Sequence, residues 1–386
     1  MNGRRDRSMR LQTLLYTPDH AWTVPLDPAY DSERTLVLAF GAPQFGTDTA
    51  PLNDLARAFP RAVKLGCSTA GEILGNQVHD DSLSVAVARF DHTPLRRASA
   101  GVASPEHSHA AGRELGRQLA SDGLRAVFVL SVGLHVNGGL LVEGMRSALP
   151  PTVPISGGLA GDGSRFQHTW VLDGSQPVDG HVCAVGFYGD QVRIGHGCDH
   201  GWVEFGPQRR VTRAKANVLY ELDGKPALQL YKDYLGDLAS GLPGTALLFP
   251  LAIWREGQDA QHLVRTILAV DEAAQSMTFA GDVPEGVIAR LMRSTNDRLI
   301  DSAGQAAERA STGNSTGDAL VVSISCVGRR LLLGERTDEE IETVSDSAGA
   351  GHQVGFYSYG EIAPMIGFCG GELHNQTMTV TVISEG

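Results

Sequence analysis

Chemistry-capable side chains are densest between Gly355 and Val382. Tyr357, Tyr359 and Glu361 sit on a Tyr-Gly-Glu turn ahead of Pro364, and Cys369, Glu372, His374, Asn375 and Thr377 follow within a few residues. Gly360 frees the backbone between a phenol and a carboxylate, and Pro364 cannot continue a ladder. Such a loop offers one acid, phenols and free amides to a small polar ligand, so Tyr357, Tyr359, Glu361, Asn375 and Thr377 are the expected ligand contacts. From Asn375 to Val382 polar and apolar residues alternate, which predicts a strand with one wet face and one buried face.

Other candidates are scattered along the chain. Gly66-Cys67-Ser68-Thr69-Ala70-Gly71-Glu72 puts a serine and an acid on a tight turn after a strand, but without the G-x-S-x-G spacing of a nucleophile elbow. Ser68 or Cys67 could attack with His79 or Asp80 as helper, or the turn could simply line a pocket with its amides and Glu72. Four glycines surround Asp162, and the order fits neither a P-loop nor a dinucleotide fingerprint. Cys326 ends an apolar run and precedes Arg329. As a nucleophile it would need its thiol lowered by Arg329 or His374, and otherwise it is a small hydrophobe. His196, Cys198 and His200 alternate as they would on one strand face, a pattern that suits a metal but lacks a fourth ligand. His374 shares the parity of the apolar positions after it, which suits either a core histidine or an axial haem ligand, with His135, His181 and His196 as competitors.

The elements that must position these groups alternate. Thr35–Phe40, Ala62–Leu65, Leu83–Phe90, Arg125–Ser131 and Ala319–Ser325 read as strands. Helical spacing marks Leu52–Phe59, Ala111–Leu119, Val136–Leu149, Pro226–Leu238, Leu299–Ala310 and Leu331–Val344. Leu83–Phe90 and Leu95–Val102 flank Asp-His-Thr-Pro, a hairpin signal. The order from Leu83 to Asp162 recurs between His262 and Glu361. The expectation is therefore an α/β fold, mixed sheets with helices packed on them, in two related lobes that form a pseudo-duplication. The parts are 1–33 as tail and lead-in, 34–205 and 206–386. Asp162 and Glu361 take equivalent places, and a pocket lies where their loops converge.

The segments Gly66–Glu72, Gly157–Asp162, Tyr220–Leu228, Ser325–Arg329, Gly355–Pro364 and Asn375–Thr377 together resemble the FIST family of intracellular sensory domains, in family order over nearly the whole chain. The resemblance implies a ligand sensor in signal transduction without catalytic turnover. Its ligand would be small, such as an amino acid, or haem b with nitric oxide as in some family members. The site would take in Cys326, Arg329, Ser68, Glu72 and Asp162 beside the C-terminal residues, with His374 as haem ligand. Output would pass in trans to a histidine kinase, a chemoreceptor or a cyclic-di-GMP enzyme. A hydrolase using Cys326 or Ser68 is the alternative of a different class.

Composition narrows the field. A chain of 386 residues with 42% hydrophobic and 20% charged residues can bury large cores. A formal net charge of -12 argues against nonspecific nucleic-acid binding and against attraction to anionic lipid. The Arg-rich start lacks the apolar core of a secretory signal, and no apolar run reaches the ~20 residues that span a bilayer. Five cysteines, an odd number without Cys-x-x-Cys, fit reduced thiols in a cytoplasmic protein.

Overall fold

Three stretches of the chain follow the same path. In the computed structural model, which describes residues 9–257, 262–312, 318–349, 351–365 and 370–386, each stretch has an outer strand and a central strand that is buried apart from Arg125 in the second. A helical crossover leads to a second strand parallel to the central one. A hairpin follows, and a long antiparallel strand then returns between central and outer strands.

The first unit uses Met9–Thr17, Thr35–Gly41, helix α1 (Ala50–Ala58), Val63–Ser68 and Leu83–Phe90. The second uses Leu95–Gly101, α2 (Ser108–Leu119), Leu124–Ser131, α3 (Gly138–Ala148), Ile155–Leu159 and His181–Tyr188. The third opens with Val192–Asp199 and is interrupted by a barrel that contains α4 (Ala227–Leu235). It resumes with α5 (Asn296–Ser311), Leu320–Cys326, α6 (Val327–Leu333), α7 (Thr337–Ala348), His352–Ser358 and Met378–Glu385.

The parallel registers pair Gly41 with Ser68, Ser131 with Leu159 and Ser325 with Tyr357, which makes Gly66, Gly157 and Gly355 equivalent. A Cβ on these glycines would stand 2.2, 1.8 and 1.8 Å from the carbonyl oxygens of Ala39, Val129 and Ser323. Those three acceptors are themselves equivalent, so every unit uses glycine for the same close approach of two backbones.

Each unit gives its hairpin away. Glu72–Leu74 of the first pairs with His352–Ser358 of the third, and Gly360–Ala363 of the third pairs with Ile155–Leu159 of the second. Val171–Asp173 of the second pairs with Val63–Ser68 of the first. The exchange is cyclic, so each sheet is completed by a neighbour's hairpin. The inner faces share one apolar core, where the rings of Phe40 and Phe356 stack at 4.8 Å. Helices cover the outer faces, α2 and α3 closing on each other through Gly112 and Gly144, whose added Cβ atoms would meet backbone at 2.0 and 2.1 Å.

The barrel runs Leu263–Arg265, Leu251–Trp254, Ile288–Arg293, Val203–Lys215, Val218–Leu222, Ser276–Phe279, Ile267–Asp271 in sheet order. Its two end strands are separated in sequence only by Thr266, so the sheet closes on itself. Leu219, Leu222, Leu228, Tyr231, Met277 and Phe279 fill the interior, as expected for a small barrel.

The fold class is the one the sequence implies. The recurrence between Leu83–Asp162 and the C-terminal half is present as the second and third units, and the first unit repeats it again. Other expectations change. The strands at 262–280 belong to the barrel, and the third unit's own outer strand is Val192–Asp199. Met9–Thr17, read as lead-in, pairs along its length with Leu83–Phe90, while residues 1–8 lie outside the described residues. Leu83–Phe90 and Leu95–Gly101 form no hairpin: they enter different sheets, because the Glu385 carboxylate accepts the amides of Asp91, His92 and Thr93 at 2.7, 2.9 and 2.6 Å. Thr379 and Thr381 are not wet, since their strand lies between Val192–Asp199 and Leu320–Cys326 with α5 on its other face.

Candidate functional site

The strand ends at Ser68, Leu159 and Tyr357 meet at one end of the core, where the backbone ties them into a ring. The Ala70 amide donates to Tyr357 O at 2.8 Å, the Tyr359 amide to Leu159 O at 3.2 Å and the Gly161 amide to Ser68 O at 3.0 Å. Glu72 and Glu361 are counterparts on this ring. Glu72 accepts from Thr69 Oγ1, from the Ser82 amide at 3.0 Å and from Ser82 Oγ at 2.8 Å. Glu361 accepts from Ser358 Oγ at 2.5 Å, from the Thr377 amide at 3.3 Å and from Thr377 Oγ1 at 2.9 Å. Burial pushes each carboxyl up to about 7 against the pull of those donors. Asp162 stands one residue earlier, at the place of Gly71 and Gly360, a correction to its expected equivalence with Glu361. Burial raises its carboxyl, but the Tyr359 hydroxyl and the amides of His168, Gln167 and Phe166 outweigh that and hold it below the usual range.

Beneath the ring, Arg329 and Glu340 form a fully buried pair at 2.6 Å. Arg329 also donates to His200 O at 2.9 Å and Leu299 O at 2.7 Å, and Glu340 accepts from Tyr357 at 2.7 Å and Ser325 at 3.0 Å. Tyr359 ties the loops of Asp162 and Glu361 together, its amide donating to Leu159 O and its hydroxyl to Asp162, and each acid is engaged by donors of its own. Asn375 and Gln376 stand apart: all four of their side-chain polar atoms are buried without a partner among the described residues.

Open space lies elsewhere, in a cleft of about 910 Å³ between α3 and the barrel. One wall is Gly139, Leu140, Glu143, Arg146 and Leu149, and the facing wall is Ile253, Trp254, Arg265, Asp282 and Val287. Glu372 of the exchanged hairpin closes one side. Two polar clasps cross it. Asn137 Nδ2 donates to both Asp282 oxygens at 3.0 Å, and Arg146 Nη1 donates to Glu372 at 2.5 Å. Asn137 also caps α3, accepting the Leu140 amide at 3.0 Å, so helix end and clasp share one side chain. Such a cavity, concave and largely apolar with a few fixed polar groups, is what a small ligand requires.

Residues 35–225 match the model of the FIST N domain, and residues 227–364 match that of the FIST C domain. This chain belongs to the FIST family. FIST domains are associated with sensing in signal transduction. An uncharacterised protein of Methanocaldococcus jannaschii is 26% identical over 196 residues, 47% of this chain and 36% of that protein, so the chain spans little more than a third of its relative. In family terms the cleft is a junction: α3 belongs to the FIST N domain, and Ile253, Trp254, Arg265 and Asp282 to the FIST C domain.

Several sequence candidates acquire definite surroundings. Cys326 is buried and its thiol is pushed up, by burial first and by Glu361 next, so it lacks the electropositive setting of an activated nucleophile. Ser68 Oγ accepts the Trp170 amide at 3.0 Å and no histidine reaches it among the described contacts. His196, Cys198 and His200 do not converge: His200 leaves the strand, its Nδ1 accepting the Trp202 amide at 2.9 Å and its Nε2 facing His262 Nε2 at 3.0 Å. No group of three metal-binding side chains occurs among the described residues. His374 does not fit a haem, because its Nε2 is engaged with Ala363 O at 3.1 Å and it lines none of the described cavities. Cys369 lies outside the described residues. No helix among the described residues is long and apolar enough to cross a membrane.

Sequence reasoning missed the cleft. Arg265 sits in an unremarkable Leu-Val-Arg-Thr stretch, and only the closure of the barrel brings it opposite α3. One signal was available: an arginine inside a strand-like apolar run has to find acceptors or a ligand.

Proposed function

We propose that this FIST protein is a small-ligand sensor whose ligand occupies the cleft between α3 and the barrel, and that it signals in trans to a histidine kinase, a chemoreceptor or a cyclic-di-GMP enzyme. The observation that carries the reading is the cleft's double ownership. Its walls come from both FIST domains and are joined by the Asn137–Asp282 and Arg146–Glu372 clasps. A ligand there touches both walls and, if it fits one spacing of them better, shifts the population toward that spacing. The ring of Glu72, Asp162 and Glu361 serves as the rigid frame against which that shift occurs.

The test is a thermal-shift screen of a metabolite library against the full chain and against a cleft-filling variant, Gly139→Trp. At Gly139 an added Cβ would meet Asn137 Oδ1 at 3.3 Å, so a side chain there projects into space that is open except for that atom. A compound that raises the wild-type melting temperature but not that of the variant supports the reading. A compound that stabilises both equally binds elsewhere and refutes it.

A further inference from the structure

We infer that the ligand of this cleft is a small organic monocarboxylate with an apolar body, its carboxylate held by the free edge of the Arg265 guanidinium. This rests on the cleft being the sensory site and adds the chemical class. Arg265 is only 6% exposed. Its Nε donates to Asp282 O at 3.0 Å, and its Nη1 to Val264 O at 3.1 Å and Leu373 O at 3.2 Å. Those are neutral acceptors. Nη2 has no partner among the described residues, yet it is not a sealed atom, so the accessible edge of this buried cation opens on the cleft that Arg265 lines.

The nearest carboxylates are otherwise engaged. Both oxygens of Asp282 take Asn137 Nδ2, and Glu372 takes Arg146. A buried positive charge without a contacting counter-ion is costly, and an incoming anion would remove that cost while making a charge-assisted hydrogen bond. Burial lowers the guanidinium to about 10, which still leaves it charged at neutral pH. The remaining wall selects what the anion carries. Leu140, Leu149, Ile253, Trp254 and Val287 offer apolar contact to a hydrocarbon or ring. Glu143, Asp282 and Glu372 line the cleft together with Arg146, Arg255 and Arg265, so its charges balance, and the one buried cation among them with an unengaged edge answers a single negative charge.

Isothermal titration calorimetry of the full chain with hexanoate and benzoate, each paired with its neutral amide, tests this, with inorganic phosphate as a third probe. The expected result is saturable binding of at least one carboxylate, at least about tenfold tighter than its amide, as a charge-assisted bond implies. Arg265→Gln should bring carboxylate and amide to equal affinity, and Arg265→Lys should restore part of the difference. The wild-type comparison needs no variant, so misfolding of Arg265→Gln leaves the proposal exposed to test. Amides binding as well as carboxylates, phosphate binding more tightly than either, or no binding of any carboxylate would each overturn the ligand class. In those cases a library compound displaced by Gly139→Trp would leave the cleft itself standing as the site, whereas loss of that result as well would remove the site.

Discussion

Replacing Gly355 by alanine tests the threefold register directly. The added Cβ would lie 1.8 Å from Ser323 O and 2.7 Å from the carbonyl carbon, both backbone atoms of the adjacent parallel strand, so no side chain can rotate away. Restoring ordinary contact requires the strands to part by more than ~1 Å, which disrupts the local ladder between Leu320–Cys326 and His352–Ser358. Overpacking of this kind costs about 1–3 kcal/mol, and each lost backbone hydrogen bond adds roughly 1 kcal/mol, so a loss of about 3–5 kcal/mol is expected. Gly157→Ala should cost at least as much, since φ is +141° there and the Cβ would meet Val129 O at 1.8 Å. Gly66→Ala, with 2.2 Å to Ala39 O, should fall slightly lower in the series. Gly101→Ala is the control, because nothing lies within 4 Å of its Cβ. Urea unfolding followed by circular dichroism gives the four differences. If Gly355→Ala and Gly157→Ala unfold within ~0.5 kcal/mol of Gly101→Ala, the equivalence of the three glycines is refuted.

Two further outcomes follow from the same geometry. Polypeptides 34–205 and 206–386 should each be insoluble or unfolded alone and should recover structure when co-expressed, because Glu72–Leu74 completes a sheet of the second and Gly360–Ala363 a sheet of the first. Cooperative unfolding of either piece in isolation would contradict the exchange. Glu361 stands at about 7 in the folded chain against an ordinary 4.5, so folding favours its protonated form, and the stability it contributes is present below the ordinary value and lost as pH rises through about 7. Stability should therefore fall between about pH 5 and about pH 8, with Glu361→Gln removing up to roughly 3 kcal/mol of that slope, and an unchanged slope in the variant would be the contrary result.

Much of the scaffold was legible because it obeys short-range rules. The buried strands around Val37, Val127 and Val322 are continuous apolar runs, and α5 announces itself by Leu299, Ala303, Ala306 and Ala310. The barrel was not, since its closure depends on Thr266 joining two sheet edges, a contact without local signature. Nor was the third unit's outer strand, separated from its partner strand by the whole barrel. For the site, the sequence singled out Glu72, Asp162 and Glu361, and the structure adds the donors that engage each of them. Hydroxyl donors three residues before Glu72 and Glu361, at Thr69 and Ser358, engage them from within the same turn, a local pattern the sequence displays in both places. Arg265 shows the reverse case, a single cation whose acceptors are carbonyls drawn from 108 residues away at Leu373.

The exchanged hairpin gives the cleft a route to the core. Glu372, the clasp partner of Arg146, lies opposite Ala363, and His374 lies opposite Glu361, so two registers along one ladder separate the cleft from the ring. A ligand that draws the Arg146–Glu372 clasp apart moves a strand whose other end is pinned by Thr377 and Ser358 through Glu361. Because those bonds are buried, the ring end resists while the exposed clasp gives, and the displacement is expressed at the surface of the barrel and α3. Exposed ion pairs of this kind hold about 0–1 kcal/mol, little enough for a ligand of modest affinity to overcome, and the bonds inside the ring are worth more because breaking them leaves polar groups buried. On the reading proposed above, the weak contact lies at the ligand and the strong ones behind it, the order in which binding shifts a population without unfolding the frame.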